Sequence, residues 1–498
     1  MNLARNLENA ARHFPDNPAA LAAGRVVTYA ELEALASRAA GGLTALGLGP
    51  GEMVGICLPN GLDWLVAYFG ALKAGCVAVP LFAGLPRDEL LPVLDDCRPR
   101  LLVTTDSRLA EIGERGDLPY LEKVVAPGGD LEFSHLLALG GEAFPAVERL
   151  RSDTAAVLYT GGTTGRPKGV MLSHENIMTS AHNVARQERS SETDRALCFL
   201  PLNHVFGQVH IMHSTILSAG ALVLLPGFDL DKVLEAFRDQ GVTKFYAVPT
   251  IYVRLLGLGD LKARLGAVRY CMSAAASMAL ELVRAWKTAT GLDIHEAYGM
   301  TESAAMVTYN HYYHHKVGSV GTPPGSVEVA IMDPEGRPLP QGQEGEICIQ
   351  GPNVMQGYLN RPEDSRQAFW GPWLRSGDLG YLDGEGYLFI VDRLKDMIIT
   401  GGENVYPREV EELLFQRPEV EECSVVGLPD REYGERVTAV IKQRSGYELD
   451  AEALRTFLKE RLSSYKVPKA FITMDELPKS ATGKILKRDL KRQLTDQS

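Results

Sequence analysis

Hydrophobic and polar positions alternate between positions 28 and 225 in a way that predicts helices and strands in turn. Amphipathic helices are predicted at 32–46 and 64–73, and short apolar runs typical of buried strands lie at 53–58, 77–80 and 101–104. A second region repeats this alternation, with strands predicted at 221–225, 244–248 and 268–272 and helices at 231–238 and 280–288. Such alternation is typical of a doubly wound parallel α/β sheet. We therefore predict an α/β fold with two such subdomains.

The pattern changes between positions 317 and 391, where the helical periodicity disappears. Short strands are predicted at 327–332, 346–350 and 387–391, and turn sequences rich in Asp and Gly separate them. We interpret this stretch as a small β-barrel-like subdomain. It completes a predicted large N-terminal domain of residues 1–394.

The chain beyond this point again mixes strands and helices. A strand is predicted at 397–400, a helix begins at Pro407, and a second helix at 451–462 precedes a basic tail. This arrangement predicts a separate α+β domain of residues 395–498, which is within the usual size range of domains. We place the boundary between the two domains at Lys395.

The composition of the 498 residues, 45% hydrophobic and 23% charged, is that of an ordinary globular protein. A net charge of −12 argues against general nucleic-acid binding, so an anionic substrate must meet local positive groups. No apolar run reaches the ~18 residues of a membrane span, and the first residues lack a signal-peptide pattern. Seven scattered cysteines without Cys-x-x-Cys spacing indicate reduced thiols. We expect a cytoplasmic protein, either a monomer or a homodimer.

One glycine-rich stretch lies between two apolar runs and reads Tyr159-Thr160-Gly161-Gly162-Thr163-Thr164-Gly165-Arg166-Pro167-Lys168-Gly169. It concentrates backbone N–H groups, hydroxyls and one ammonium, which is the chemistry that binds phosphates. The Walker P-loop is excluded, because Gly169 follows Lys168 where that motif needs Ser or Thr. For a glycine-rich loop taken alone, a flexible hairpin turn is the alternative interpretation.

The complete stretch resembles the phosphate-binding loop of the adenylate-forming superfamily, which unites acyl-CoA synthetases, adenylation domains of peptide synthetases and beetle luciferases. Gly161 stands where that family usually has Ser. The family's architecture agrees with the order of α/β and β-rich stretches predicted above. The resemblance implies that the phosphates of ATP are bound by Thr160, Gly161, Gly162, Thr163, Thr164, Gly165 and Lys168.

A second motif follows a predicted strand and reads Glu296-Ala297-Tyr298-Gly299-Met300-Thr301-Glu302. By itself it is typical of a turn between a strand and a helix. The resemblance implies that Tyr298 stacks on adenine, Thr301 contacts the α-phosphate and Glu302 holds Mg²⁺ through an oxygen ligand. It also implies nucleotide contacts for Ala275, Glu296, Ala297 and Gly299.

The remaining nucleotide contacts are expected further along the chain. Asp378, in a Ser-Gly-Asp turn sequence, is implied to accept both ribose hydroxyls with its two oxygens. Arg393 is implied to contact the ribose or a phosphate, and Lys395 takes the family's hinge position between the two domains. In the C-terminal domain, the resemblance implies that the tunnel for the thiol substrate is lined by Gly401, Gly402, Glu403 and Asn404.

Lys484 follows Thr482 and Gly483 within a basic C-terminal segment. Such a segment alone is typical of a solvated helix end. The resemblance gives Lys484 the family's catalytic position, where a cation stabilises the charge that develops as a carboxylate attacks the α-phosphate. Because carboxylic acids are ionised at neutral pH, positioning and electrostatics must supply most of the catalysis.

His204 matches the family's catalytic histidine beside the acyl pocket, with a purely structural histidine as the alternative. The other implied pocket residues are mostly apolar or small, so we expect a hydrophobic acid as substrate. They are Phe206, His210, Tyr246, Ser273, Ala274, Gly299 and Met306. Three histidines at 311, 314 and 315 lack a carboxylate or cysteine partner at metal-ligand spacing, and we expect a surface loop there.

The motifs imply a reaction in two steps. A carboxylate and Mg·ATP give acyl-AMP and pyrophosphate, and a thiol then converts acyl-AMP to a thioester and AMP. The thiol is that of CoA or of the phosphopantetheine arm of an acyl carrier protein, and the sequence leaves both open. An amino acid as substrate is disfavoured, because positions 206–210 offer no carboxylate for its ammonium group. A silent nucleotide-binding regulator is disfavoured by the intact Lys168, Glu302, Asp378 and Lys484.

Overall fold

The structure is a computed structural model that describes residues 1–112, 118–160, 167–276, 278–480 and 483–496. In chain order its strands are β1 (Pro18–Ala22), β2 (Arg25–Thr28), β3 (Met53–Cys57), β4 (Val77–Pro80), β5 (Leu101–Thr104), β6 (Lys123–Val125), β7 (Thr154–Thr160), β8 (Lys168–Ser173), β9 (Arg195–Cys198), β10 (Ala221–Leu224), β11 (Lys244–Ala247), β12 (Tyr270–Ser273), β13 (Ile294–Met300), β14 (Ala305–Tyr309), β15 (Glu328–Met332), β16 (Gly345–Gln350), β17 (Gly357–Tyr358), β18 (Phe369–Trp370), β19 (Trp373–Leu382), β20 (Leu388–Arg393), β21 (Ile398–Thr400), β22 (Glu403–Val405), β23 (Val420–Asp430), β24 (Gly434–Gln443) and β25 (Ala470–Thr473).

The α-helices, in chain order, are α1 (Arg5–His13), α2 (Tyr29–Ala45), α3 (Leu62–Lys73), α4 (Arg87–Cys97), α5 (Asp106–Ile112), α6 (Phe133–Leu139), α7 (His174–Gln187), α8 (Ser214–Leu217), α9 (Leu230–Asp239), α10 (Pro249–Leu256), α11 (Leu261–Arg264), α12 (Leu280–Thr290), α13 (Pro362–Gln367), α14 (Pro407–Leu414), α15 (Ala451–Lys459) and α16 (Lys487–Asp496). A π-helix (Phe206–His213) precedes α8, and short 3₁₀ turns lie at Thr301–Ser303 and Leu394–Asp396.

Two mixed sheets with helices packed against them form most of the large domain. The first has the order β17-β8-β7-β4-β3-β5-β6, and the second has the order β14-β13-β12-β11-β9-β10-β1-β2. All residues of β4 and β5 are buried, as expected where helices cover both faces of a parallel sheet. The α/β fold class and the helix–strand alternation are thereby confirmed.

The sheets differ from the prediction at their edges. Their centres are parallel, but β8 runs antiparallel to both β7 and β17, and the pairs β13–β14 and β1–β2 are also antiparallel. Strands β1 and β2 also join the second sheet, where β1 pairs with β10. The strand predicted at 221–225 is β10 of this second sheet, as expected. The pairing of β1 with β10 was not predicted, because pairing between strands nearly two hundred residues apart is set by packing that periodicity does not encode.

The β-rich stretch forms a five-stranded antiparallel sheet with the order β15-β16-β19-β18, in which β20 also pairs with β19. In the C-terminal domain, β22, β21, β24 and β23 form an antiparallel sheet, and β25 adds to β24 in parallel. The apolar faces of α14 and α15 pack with this sheet in a separate core. The small C-terminal α+β unit agrees with the prediction, and the boundary at Lys395 stays a prediction.

One local feature bears on the site. Helix α7 begins with a capping box, in which the Ser173 hydroxyl accepts from the Asn176 N–H at 3.1 Å and the Asn176 side chain accepts from the Ser173 N–H at 2.8 Å. This cap fixes the direction of α7, which ends directly before Glu188.

All seven cysteines are buried and free, as predicted. Across the described ranges, the helices are too short or too polar to cross a lipid bilayer.

Candidate active site

Strands β7 and β8, which flank the glycine-rich stretch in the sequence, pair antiparallel, with Thr160 opposite Lys168. Thr160 and Lys168 both line a cavity, so this strand pair joins the first sheet to the site. Between these two residues, the predicted phosphate-binding residues lie outside the described residues, and their roles stay predictions. They are Gly161, Gly162, Thr163, Thr164 and Gly165.

This cavity has a volume of about 560 Å³, which is typical of small-molecule sites. On its wall, Lys168 Nζ lies 2.9 Å from Asp364 Oδ1 and 5.0 Å from the centre of the Tyr358 ring. The Tyr358 hydroxyl donates to Glu302 Oε1 at 2.9 Å. One ammonium and two carboxylates thus face the same space, where the ends of β8 and β17 meet the 3₁₀ turn.

The turn at Thr301–Ser303 is shaped by the strand before it. A side chain at Gly299 would place Cβ 1.9 Å from the Ala305 carbonyl oxygen, so this close approach of two backbones requires glycine. Thr301 and Glu302 follow after Met300, and both are buried and line the cavity. Burial raises the pKa of Glu302, and the hydrogen bond from Tyr358 opposes this shift.

The residues present fit Mg²⁺ held partly by a substrate. Among the described residues, no group of three or more His, Cys, Asp or Glu side chains has the geometry to hold a metal ion by itself. Mg²⁺ characteristically uses one or two carboxylates together with substrate phosphates and water. Glu302 supplies a buried oxygen ligand of the required kind at the edge of the cavity.

A second cavity of about 240 Å³ continues from the first, and both share Ala275, Gly299, Asp378, Arg393 and Lys484. The Tyr298 hydroxyl donates to Asp378 Oδ2 at 2.7 Å, and Arg393 Nε lies 3.0 Å from Asp378 Oδ1. Asp378 and Arg393 are opposite each other in the β19–β20 pair. Each oxygen of an ionised carboxylate has a further lone pair, so Asp378 can still accept two hydroxyl groups.

The other predicted nucleotide residues line this second cavity. Ala275 has a φ of +69°, a left-handed conformation that a residue with a side chain rarely adopts and that clusters at functional sites. Ala297 and Glu296 lie on β13 beside it. Burial raises the pKa of Glu296 to about 7, although the charge of Arg408 opposes the shift. Glu296 is therefore partly protonated at neutral pH.

Lys484 belongs to the C-terminal domain but reaches both cavities. The Ser480 N–H donates to the Lys484 carbonyl at 2.8 Å, and Gly483 has a φ of +86° that the tight turn requires. The Gly483 carbonyl in turn lies 3.4 Å from the Thr250 hydroxyl of the large domain. Desolvation and the charge of Arg393 lower the pKa of Lys484 to about 8, and Asp378 opposes this shift.

The predicted thiol-tunnel loop lies elsewhere. Residues 401–404 form the exposed turn of the β21–β22 hairpin, with φ of +61° at Gly401 and +85° at Gly402. None of the four lines either cavity. Lys395, in the 3₁₀ turn between β20 and β21, lines the larger cavity at the predicted hinge. The described arrangement thus brings Lys484, and not the 401–404 loop, to the site.

The predicted acyl-pocket residues fall into two groups. His204, Phe206, Gly299 and Met306 line the larger cavity. Desolvation, together with the Lys484 charge, lowers the pKa of His204 to about 4, so its imidazole is neutral at pH 7. The Phe206 N–H donates to His204 Nδ1 at 3.2 Å.

The second group does not line that larger cavity. Ser273 lines the second cavity, whereas Ala274, His210 and Tyr246 are buried and line neither. Their assignment to the acyl pocket stays a prediction.

Sequence reasoning also missed residues that the structure brings to the site, including Tyr358, Asp364 and Arg375. These positions belong to β17, α13 and β19, and no short motif marks them.

Two of the three histidines at 311–315 bond within the protein. His311 Nε2 lies 2.7 Å from the Thr322 hydroxyl, and His315 Nε2 lies 3.0 Å from the Ile294 carbonyl. His314 is exposed, and the ring of the neighbouring Tyr313 is among the most exposed aromatic groups described. These contacts agree with a loop at the surface.

Comparison with known proteins identifies the family. The AMP-binding enzyme model matches residues 7–359, and the model of the AMP-binding enzyme C-terminal domain matches residues 409–484. The chain therefore belongs to the AMP-binding enzyme family. A feruloyl-CoA synthase from an Amycolatopsis species is 36% identical over 485 residues, covering 97% of each chain.

Solved structures extend this similarity to the whole fold. ATP-bound MatB from Rhodopseudomonas palustris superposes with a TM-score of 0.92 at 34% identity, covering 100% of this chain and 99% of that one. Apo MatB, with the same coverage and 35% identity, gives 0.81. The anthranilate CoA ligase AuaEII in complex with anthranoyl-AMP gives 0.94 at 31% identity, covering 100% and 98% of the two chains.

We predict that the Lys484 side chain titrates near pH 8, well below its ordinary value of 10.5, because the cavity wall removes hydration from its ammonium. The group is cationic below this pH and neutral above it. NMR of isotope-labelled dimethyl-lysine side chains measures the titration, and the resonance is assigned by its absence in Lys484→Arg. A titration near the ordinary value would show that the ammonium stays hydrated.

Proposed function

We propose that this enzyme is an ATP-dependent acyl-CoA ligase. It activates a hydrophobic carboxylic acid as acyl-AMP with release of pyrophosphate, and then transfers the acyl group to the thiol of CoA with release of AMP. The observation that carries the proposal is the position of Lys484, which extends from the C-terminal domain into the cavity lined by Thr301 and Asp378. Relatives over the full length that are CoA ligases or synthases support it.

In the first step, a carboxylate oxygen attacks the α-phosphorus and the bond to pyrophosphate breaks. The carboxylate is already ionised, so the protein has two anions to bring together and no proton to remove. Lys484 offsets the negative charge on the oxygens of the pentacoordinate phosphorus, and Lys168 lies on the wall of the same cavity. Glu302 would hold Mg²⁺, and the bound ion would supply further positive charge to the phosphates.

The nucleoside is bound on the side of the second cavity. Asp378 accepts the ribose hydroxyls, while Arg393 and Tyr298 keep its carboxylate in position. Ala275, Glu296 and Ala297 surround the adenine. A partly protonated Glu296 carboxyl is able to donate as well as accept, which suits an amine and a ring nitrogen on one purine edge.

The acid enters beside Lys484, where the cavity wall is formed by Phe206, Met306 and the neutral His204. An uncharged imidazole adds no second cation to compete for the carboxylate, so the carboxylate is directed to Lys484 and the α-phosphate. The surrounding apolar side chains favour a hydrophobic acyl group.

In the second step, the thiolate sulfur attacks the acyl carbon and the bond to the AMP oxygen breaks. We infer that the C-terminal domain rotates about Lys395 between the steps, withdrawing Lys484 and bringing the 401–404 loop to the site. The better superposition on ATP-bound than on apo MatB supports the interpretation that the described arrangement is the one for the first step. The names of the relatives support free CoA as the acceptor, rather than a carrier protein.

Lys484→Ala should lower the rate of acyl-AMP formation by about 100- to 1000-fold, the usual loss when a charge-stabilising group is removed. Thioester formation from supplied acyl-AMP should be unchanged, because Lys484 is withdrawn in that step. Pyrophosphate release and thioester formation are measured separately. Lys491→Ala, a variant in the same basic segment whose side chain is bound only to Glu435 at 3.8 Å in the described contacts, serves as the control. Equal loss in both steps would contradict the two arrangements.

Gly402→Leu should have the opposite effect, because its side chain would fill the thiol path while the first step proceeds. The φ of +85° at Gly402 also strains any other residue. Gly446→Leu provides a matched control, since Gly446 has the same φ of +85° in the same domain and equally open surroundings. Normal thioester yield in Gly402→Leu would remove the loop from the thiol path.

A further inference from the structure

A buried charged residue, Glu188, lies behind the acyl side of the site. It follows α7 directly and is 1% exposed. Its Oε1 lies 2.6 Å from His210 Nε2, and its Oε2 accepts from the Tyr246 hydroxyl at 2.5 Å and from Lys244 Nζ at 3.3 Å. An ionised carboxylate only accepts hydrogen bonds, so His210 donates from Nε2.

The charge of Glu188 is balanced inside the protein. Burial alone would raise its pKa, but His210 and Lys244, with hydrogen bonds from His210 and Tyr246, lower it to about 2. Lys244 also lies 3.6 Å from the buried Asp194, which pairs with Arg269 at 2.6 Å. A buried ion pair of this kind is costly to open, because either partner left alone is an uncompensated charge. Glu188 is therefore a rigid attachment point for the side chains that bond to it.

Two of those side chains, His210 and Tyr246, belong with Phe206 and Tyr309 to a layer of four rings, which we call the aromatic floor. The His210 ring lies 5.4 Å from both Phe206 and Tyr246, edge to face, and 6.5 Å from Tyr309, nearly parallel to it. Phe206 and Tyr246 are 6.4 Å apart. These distances are those of packed aromatic pairs.

The larger cavity ends at this layer. Phe206 lines the cavity, but His210, Tyr246 and Tyr309 do not, and each of these three is at most 3% exposed. Protein interiors are close-packed, so an acyl chain that continued past Phe206 would have to displace the rings behind it. Two of those rings are bonded to Glu188 and do not move without breaking a hydrogen bond to a buried charge.

We propose that Glu188, through His210 and Tyr246, holds the aromatic floor in place, so that the enzyme accepts compact carboxylic acids and excludes long aliphatic chains. The proposal rests on the proposed ligase function and adds the size of the substrate to it. Glu188 is a positioning residue, since it acts through the two rings. Long acids are excluded by the length of the site, whereas short-chain and single-ring acids end before the floor.

The test compares kcat/KM for butyrate, benzoate, decanoate and palmitate, measured by pyrophosphate release with Mg·ATP and CoA. The wild-type enzyme should prefer its best compact acid over decanoate by about 100-fold or more, within the range that pocket size achieves. Tyr246→Ala removes part of the floor and should reduce this preference at least about tenfold, while KM for ATP is unchanged. Glu188→Gln should raise KM for the compact acid more than it lowers kcat, because the floor loses its fixed geometry.

Tyr252→Ala is the matched control for Tyr246→Ala. Tyr252 is also fully buried and hydrogen-bonded, to the Met272 carbonyl at 2.9 Å, but it is not part of the floor. It should lower stability without changing the ratio between acids. An equal change of the ratio in both variants would overturn the role of the floor.

The outcomes separate this proposal from the function on which it rests. Rapid wild-type turnover of decanoate or palmitate would overturn the size limit and leave the ligase function intact. An absence of acid-dependent pyrophosphate release across the panel, extended to other hydrophobic acids, would overturn both. A compact-acid preference that Tyr246→Ala relaxes and Tyr252→Ala does not would establish the aromatic floor.

Discussion

One ammonium group, that of Lys484, lies where the two domains meet. Its turn lies against α10, where the Gly483 carbonyl contacts the Thr250 hydroxyl, and its side chain enters the space between Asp378 and His204. Desolvation weakens the cation, as the lowered pKa indicates, and Asp378 compensates in part. A partly compensated contact of this kind agrees with the domain rotation that we propose between the two steps.

Because the protein carries a net negative charge, the binding of anionic substrates depends on local cations. With a net charge of −12, the protein as a whole repels ATP and carboxylates, yet Lys168, Arg393 and Lys484 face one continuous space. Two of these cations are held by nearby carboxylates, Lys168 by Asp364 and Arg393 by Asp378. Such pairs fix the direction of long side chains before a substrate binds, which reduces the entropy lost on binding. The pairs also keep unbalanced charge low when the site holds no nucleotide.

Much of this arrangement follows from short-range sequence signals. The apolar runs at 77–80 and 101–104 coincide with β4 and β5, and Pro407 begins α14 as predicted. The motifs at 296–302 and around Asp378, Arg393 and Lys484 converge on two joined cavities. Each motif is a few residues long and carries its own turn chemistry, so local sequence is sufficient to find it.

The rest depends on contacts between distant parts of the chain. Nothing in the sequence around Glu188 indicates that it meets residues on the π-helix and on β11, because these contacts join separate segments of the chain. Likewise, β1 and β2 join a sheet whose neighbouring strand β10 is about two hundred residues away. The family resemblance assigned His210 and Tyr246 to the acyl pocket. Only the packing shows that Glu188 forms hydrogen bonds with both of them.

The central claim is that the reaction passes through acyl-AMP, and it is tested most directly by following the two oxygen atoms of the carboxylate. An acid labelled with heavy oxygen in both carboxylate positions is incubated with Mg·ATP, CoA and the enzyme, and the products are analysed by mass spectrometry. If the carboxylate attacks the α-phosphorus and the thiol then displaces AMP, each AMP formed carries one labelled oxygen and pyrophosphate carries none. Label in pyrophosphate or phosphate, with unlabelled AMP, would show attack at another phosphorus and would contradict an acyl-AMP intermediate.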